Sequence, residues 1–293
     1  IKDILCRHYR VSAHKSDLLI EIARVQRPYL SENNPQKVAV YINIPICTTK
    51  CLYCSFPSDT IDRCGFMIDD YLTALISELK QFSVWLEEKN INVETLYIGG
   101  GTPTSLNLSQ LDRLLDSVGE YVINGCNLQN IEYTVEGGRP DSMSREKLLL
   151  LKSYGVNRIS INPQTMNQKT LSIIGRSHTS KQIIDCFYTA RGIGFRTINM
   201  DIIVGLPKED EDDVAYTMEQ VKKLNPDNLT IHTLSIKRAS PLKESVKEYQ
   251  FPDVQTAVKM LDVCQRQARD MGMIPYYLYR QKYMLGNMEN VGY

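Results

Sequence analysis

Apolar and polar positions along the chain follow two alternating periods, and the alternation predicts six strand-then-helix units. Residues 38–44 form a largely apolar run that reads as a buried strand. Over 69–85, Leu72, Leu75, Ile76, Leu79 and Phe82 recur at helical spacing. A strand over 95–98 then runs into Gly99-Gly100-Gly101. Residues 109–122 predict a helix with Ser109 as its N-cap. The pattern continues with strands over 131–135, 158–162, 197–204 and 228–234. Helices are predicted over 144–154, 179–191, 210–224 and 253–271, the second ended by Gly192 or Gly194.

Repeated strand–helix units make a parallel sheet with helices outside, and such strands are apolar on both faces. The expected fold is therefore α/β, a partial (β/α)6 barrel of parallel strands with outer helices. Functional residues in this architecture gather at the C-terminal ends of the strands. Residues 1–37 form a lead-in segment with a helix over 15–25, and 38–272 form the barrel. Residues 273–293 start a C-terminal extension. The chain opens on Ile1 and stops at Tyr293 without a tail, so a piece of a longer protein is expected, with that extension cut short.

Composition narrows the function classes. The chain has 34 basic and 34 acidic residues in 293, so it carries no electrostatic footprint for nucleic acid or an anionic membrane. No apolar run approaches the roughly 18 residues of a membrane span. The N-terminus lacks a signal-peptide pattern. The cysteine count is eight, and Cys6, Cys64, Cys126, Cys186 and Cys264 are scattered without ligand spacing. That usage suits a reducing, cytoplasmic setting rather than a disulfide scaffold.

The other three cysteines carry the chemistry. Cys47-Thr-Thr-Lys-Cys51-Leu-Tyr-Cys54 is a C-x3-C-x2-C run directly after the first strand. Three thiolates can hold three corners of a cubane iron–sulfur cluster and leave one iron open, whereas a structural cluster takes four cysteines. An open position is what separates a reactive metal site from a structural one. A zinc site would need a fourth ligand, for which only Cys64 is near in sequence.

The run from Tyr41 through Cys47, Cys51, Tyr53 and Cys54 to Phe56 resembles the cluster loop of radical S-adenosylmethionine enzymes. The resemblance extends through Tyr97-Ile-Gly-Gly-Gly-Thr-Pro-Thr104, Tyr133-Thr-Val-Glu-Gly-Gly-Arg-Pro-Asp141 and Arg158-Ile-Ser-Ile-Asn-Pro-Gln-Thr165. It continues in Ile174-Gly-Arg-Ser-His178, Asn199-Met-Asp-Ile-Ile-Val-Gly-Leu-Pro207 and Ile231-His-Thr-Leu-Ser-Ile-Lys-Arg-Ala-Ser240. Together these are similar to the oxygen-independent coproporphyrinogen III oxidase family, and most to its coproporphyrinogen dehydrogenase branch.

The resemblance implies a radical S-adenosylmethionine barrel with a [4Fe-4S] cluster on Cys47, Cys51 and Cys54. It places S-adenosylmethionine against Tyr41, Tyr53, Gly100, Gly101, Thr102, Glu136, Gln164, Arg176 and Asp201. In that chemistry the reduced cluster cleaves the cofactor, and the 5′-deoxyadenosyl radical takes hydrogen from a substrate propionate. Loss of CO2 and one electron leaves a vinyl group, and two such events turn coproporphyrinogen III into protoporphyrinogen IX. The implied partners are a tetrapyrrole substrate and an electron donor such as flavodoxin or ferredoxin, with no nucleic acid and no membrane span. Arg139, His232, Lys237 and Arg238 are candidate anchors for propionates. Some family members carry a further cysteine where Phe56 stands here. A haem chaperone of the same superfamily remains an alternative, although its His-Asn-x-x-Tyr-Trp motif is absent from this sequence. Another radical enzyme acting on tetrapyrroles is a third reading.

Overall fold

The structure is a computed structural model and describes residues 1–30 and 34–293. Six parallel strands form its centre. They are β1 (Lys37–Ile44), β4 (Asn92–Gly100), β5 (Glu132–Gly138), β6 (Arg158–Ile161), β7 (Thr197–Val204) and β8 (Asn228–Thr233). These pair in chain order, so each strand lies beside the next along one curled sheet. Two short pairs complete the strands. β2 (Ile46–Cys47) pairs with β3 (Asp59–Thr60) beside the main sheet. The main sheet gains β9 (Tyr277–Tyr279) and β10 (Asn290–Gly292) at its far edge, both antiparallel, in the order β8-β10-β9.

The helices lie on the sequence stretches whose apolar residues repeat every three to four positions. The N-terminal pair is α1 (Lys2–Arg7) and α2 (Ala13–Leu30). After β3 come α3 (Ile61–Cys64) and α4 (Ile68–Lys89), and after β4 comes α5 (Leu108–Tyr121). The later units carry α6 (Arg145–Ser153), α7 (Gln168–Ile173), α8 (Ser180–Ile193) and α9 (Glu211–Leu224). α10 (Pro241–Glu244) and α11 (Val254–Asp270) follow β8. α5 buries Leu111, Leu114, Leu115 and Val118 on one face. They belong to the same buried core as sheet residues Leu96, Ile98 and Val135, which are fully buried. Burial of each such side chain contributes about 2 kcal/mol.

Helix ends follow the capping chemistry in the sequence. Thr179 caps α8 through a reciprocal box with Gln182, and Gly194 closes it with φ 92°. Asp210, Ser144 and Asp253 cap α9, α6 and α11. Ser109, expected to cap α5, lies inside the helix instead. Asn107 is the cap: its side chain accepts from the Gln110 amide, and the Gln110 side chain accepts from the Asn107 amide. Asn107-x-x-Gln110 satisfies two end amides at once, which a start at Ser109 would leave unpaired.

The terminal segments meet at the antiparallel edge. Gln26 of α2 donates to the Tyr276 carbonyl at 2.9 Å, and Lys15 pairs with Glu289 at 2.8 Å. Arg269 of α11 makes two hydrogen bonds to Glu21, at 3.1 and 2.6 Å. Residues 273–293, expected as an extension, thus supply two strands of the main sheet. No described helix is long and apolar enough to cross a membrane.

Candidate active site

Strand register brings the sequence motifs together. β1 pairs with β4 so that Ile44 lies opposite Gly100. The chain leaving β1 therefore runs beside the glycine turn leaving β4, and Cys47 comes only three residues after Ile44. The two segments are bonded directly: the Gly101 amide donates to the Ile44 carbonyl at 2.9 Å and the Thr102 amide to the Ile46 carbonyl at 2.8 Å. A Cβ on Gly101 would sit 2.8 Å from the Cys47 sulfur and 2.7 Å from the Ile46 carbonyl oxygen. Only glycine permits this approach. Gly100 holds φ 118°, which a side chain would strain.

The cluster loop is fixed at several further points. The Leu52 amide donates to the Ile174 carbonyl at 3.0 Å, and the Leu242 amide to the Leu52 carbonyl at 2.8 Å. Arg139 is 2% exposed and donates to the Thr49 carbonyl at 2.6 Å and the Thr49 hydroxyl at 2.5 Å. The nearest acid to its guanidinium is Asp141, at 3.9 Å. Arg139 therefore braces the segment between Cys47 and Cys51. Its Nη1 is buried without a partner among the described residues, and Arg139 also lines a cavity beside the loop.

A cavity of about 640 Å3 opens at the C-terminal ends of the parallel strands. Cys47, Cys51 and Cys54 line one wall. Tyr41, Tyr53, Gly100, Gly101, Thr102, Glu136, Gln164, Arg176 and Asp201 line the rest of its inner part. Every cofactor and metal residue expected from the sequence faces this one space. Of the candidate anchors, Arg139, His232 and Lys237 also line it, while Arg238 lines a neighbouring pocket. Tyr41 is 55% exposed and stacks on Tyr97 with ring centroids 5.7 Å apart, so it is a cavity wall rather than core.

The charges in the cavity are arranged by type. A register shift between Glu136 and Gly138 interrupts the β5–β6 ladder, a bulge that re-aims side chains at a strand end. Burial pushes the Glu136 carboxyl up to about 7, and the nearby Asp201 carboxylate pushes the same way. Asp201 moves in the other direction. Burial would raise it, but hydrogen bonding and charge from His232, with Asn199 and Thr230, hold it below the usual carboxylate range. Asn199 donates to Asp201 at 2.8 Å, and His232 Nε2 lies 3.8 Å from it. His232 Nδ1 meets the Tyr279 hydroxyl at 3.4 Å.

Arg176 is 6% exposed, donates to the Asn162 carbonyl at 2.5 Å and reaches the Tyr53 hydroxyl at 3.4 Å. Gln164 holds φ 66° and bonds across to β7: its amide donates to the Asp201 carbonyl and its carbonyl accepts from the Ile203 amide, each at 2.9 Å. A non-glycine residue in that backbone region is uncommon and often marks a site.

These residues fit a cluster and a zwitterionic, cationic ligand. Burial pushes the Cys54 thiol up, and the charges of Cys51 and Cys47 push it further. Bound iron would relieve that crowding by holding all three as thiolates. No described group of three or more His, Cys, Asp or Glu side chains converges on a single metal ion. A cubane asks for something different, one thiolate at each of three separate irons. Glu136 and Asp201 suit an ammonium or sulfonium. The buried, unpartnered Arg176 Nε, Arg139 Nη1 and Asn162 Oδ1 are polar atoms at the cavity that a polar ligand would satisfy.

Sequence reasoning did not single out Asn162, Tyr279, Gln281 or Asn290, all of which line the cavity. The last three come from the antiparallel edge. Its strands are three residues each, too short for a period to show.

Residues 41–221 match the Radical SAM superfamily. The chain is 42% identical over 258 residues to the oxygen-independent coproporphyrinogen-III oxidase-like protein HemZ of Bacillus subtilis, covering 88% of this chain and 51% of that protein. It is 34% identical to the heme chaperone HemW of the same organism, covering 68% of this chain and 50% of the relative. The chain thus spans about half the length of these curated relatives. Coproporphyrinogen III oxidase (HemN) from Escherichia coli, described as a radical SAM enzyme, superposes with a TM-score of 0.73 at 26% identity, covering 84% of this chain and 56% of that one.

Proposed function

The chain belongs to the Radical SAM superfamily, and from that premise we propose that it forms the catalytic barrel of an oxygen-independent coproporphyrinogen III decarboxylase in haem biosynthesis. The observation that carries this reading is the single cavity shared by the cluster cysteines and all the other expected cofactor residues. The similarity to the oxidase-like HemZ along 88% of the chain supports the choice of substrate.

The superfamily uses a [4Fe-4S] cluster and S-adenosylmethionine, which when bound supply one-electron reductive cleavage and hydrogen abstraction. In this reading Cys47, Cys51 and Cys54 hold the cluster. The Gly100–Gly101 turn, Thr102 and Glu136 receive the cofactor's ammonium, and Arg176 faces its carboxylate through a rigid fork of donors. Asp201 and Gln164 take ribose hydroxyls, with Asp201 kept ionised by His232 and Asn199. Tyr41 and Tyr53 close the sides and exclude water. None of these residues needs to act as a general acid or base at the abstraction step. A flavodoxin or ferredoxin would deliver the electron.

The similarity to HemW gives a second reading, a haem carrier on the same barrel. One experiment separates the two. The protein is reconstituted without oxygen with iron and sulfide, then given dithionite, S-adenosylmethionine and coproporphyrinogen III. 5′-Deoxyadenosine together with protoporphyrinogen IX is the expected result. 5′-Deoxyadenosine without the vinyl product would move the substrate elsewhere. Neither product, with haem bound and retained unchanged in a parallel incubation given haem, would favour the carrier.

A further inference from the structure

A second pocket of about 550 Å3 lies beside the cofactor cavity, lined by Ser55, Lys237, Arg238, Gln281, Lys282 and Tyr283 among others. Ser55, Lys237 and Gln281 line both spaces, so the pocket is an outer annex of the same cavity. We propose that this annex binds the carboxylates of a ring-bearing substrate, with Lys237, Arg238 and Lys282 as anchors and Tyr283 as the face on which the ring packs. The inference rests on the tetrapyrrole reading of the cavity and names where that substrate sits.

Three observations carry it. First, the annex lining contains three cations and no acid, in a chain whose 34 basic and 34 acidic residues balance overall. No ion pair or side-chain hydrogen bond engages the charged ends of Lys237, Arg238 or Lys282 among the described residues. Arg139 and Arg176 in the cavity, by contrast, donate to the protein itself: Arg139 to Thr49, and Arg176 to Asn162 and Tyr53.

Second, the annex is held in shape. It forms where the chain leaving β8 packs on the turn between β9 and β10. The Ser235 hydroxyl donates to the Lys282 carbonyl at 2.8 Å, the Leu285 amide to the Leu234 carbonyl at 2.9 Å, and the Ser240 hydroxyl to the Lys237 carbonyl at 2.7 Å. Tyr283 sits between these ties with φ 64° and is 62% exposed as a residue. Bulky side chains rarely adopt that backbone region, and such residues persist where the surroundings fix them and cluster at ligand clamps. The fixed backbone presents an aromatic face beside three charges.

Third, the two spaces differ in charge. The inner cavity mixes the acids Glu136 and Asp201 with Lys50, Arg139 and Arg176, while the annex carries cations alone. The annex is therefore the part of the space with no acid to oppose a carboxylate. A substrate with several carboxylates would keep one near the cofactor and anchor others on the annex.

The test is a fluorescence titration with coproporphyrin III, the oxidised four-propionate ring, and with its uncharged tetramethyl ester. It uses the protein, the variant Lys237→Gln/Arg238→Gln/Lys282→Gln, and the control Lys169→Gln/Lys181→Gln/Lys222→Gln, which removes equal charge from the helical exterior. All three annex side chains are at least partly exposed, so the variant is expected to keep its urea midpoint. The expected loss of coproporphyrin III affinity is on the order of 100-fold for the annex variant, with a shallower salt dependence. The control and the ester should show no such loss. Equal coproporphyrin III affinity in protein and annex variant would overturn the annex and leave the tetrapyrrole reading standing. Binding to neither protein would overturn both. Displacement of coproporphyrin III by millimolar inorganic phosphate at constant ionic strength would reassign the annex to phosphate and overturn the proposal.

Discussion

The two walls of the cavity are built by different rules. The wall formed by β1, β4 and β5 is tight. Glycine at 101 lets backbone approach Cys47, a proposed cluster ligand, Arg139 is buried in a brace, and backbone hydrogen bonds tie the loop to its neighbours. The wall formed beyond β8 and between β9 and β10 is open, with exposed cations that have no acidic partner among the described residues. A fixed ligand of known shape rewards the first construction, because pre-set geometry removes ordering cost at each binding event. A substrate that must enter and leave each turnover suits the second.

Removing one thiol tests the tight wall most severely. Cys51→Ala leaves two ligands for the cluster, and bound iron, its visible absorption and S-adenosylmethionine cleavage should all fall to background. Retention of a full cluster would break the comparison, since the wall would then not depend on its ligands.

Arg139→Met tests whether the brace is part of that tightness. It strips the donors from Thr49 and leaves Asp141 without its nearest guanidinium. Removing one partner from a buried charged contact costs about 3 kcal/mol. The urea midpoint should fall accordingly, and the cluster should be lost faster in air. Arg238→Gln on the open wall should change stability by less than about 0.5 kcal/mol. Similar losses at the two sites would erase the distinction.

Glu136 sharpens the comparison through pH. Its carboxyl is pushed up to about 7, above the ordinary glutamate value, so the folded apo protein holds a proton there that the unfolded chain releases. That contribution to stability is present at low pH and is lost as pH rises through about 7. A cationic ligand pulls the other way and favours the ionised form. S-Adenosylmethionine affinity should therefore rise about tenfold from pH 6 to pH 8. Glu136→Gln should flatten this profile and weaken binding at pH 8 by about the same factor. A flat profile in the unmutated protein would remove Glu136 from the ammonium site.

The tight wall was far more legible in sequence than the open one, for a physical reason. Its parts are local: three cysteines in eight residues, a glycine turn after a strand, a carboxylate ending a strand. Each element was visible by period, and parallel pairing in chain order then forced the strand ends together. The open wall is assembled from residues about 45 positions apart, such as Lys237 and Lys282. Their meeting depends on β10 inserting next to β8, a pairing that three-residue strands do not announce. Likewise the contact of Arg139 with Thr49 was not legible, because nothing local in the sequence shows that part of its guanidinium folds back onto the loop.

The smallest effect isolates what the tight wall owes to the helix behind it. α5 follows the glycine turn, and its first turn is closed by the reciprocal bonds between Asn107 and Gln110. Asn107→Ala removes one of them and leaves end amides unpaired, at a cost of about 1 kcal/mol. In a chain of this size that lowers Tm by about 2 to 4 °C. Ser109→Ala, inside the helix, should change Tm by much less, since alanine is the better helix former. The Gly101 and Thr102 amides are held by the Ile44 and Ile46 carbonyls, not by α5. S-Adenosylmethionine affinity should therefore stay within about twofold in both variants, the span of a few tenths of a kcal/mol. A larger loss with Asn107→Ala would mean that the turn borrows its rigidity from the helix cap, and the tight wall would then extend beyond the strand ends into α5.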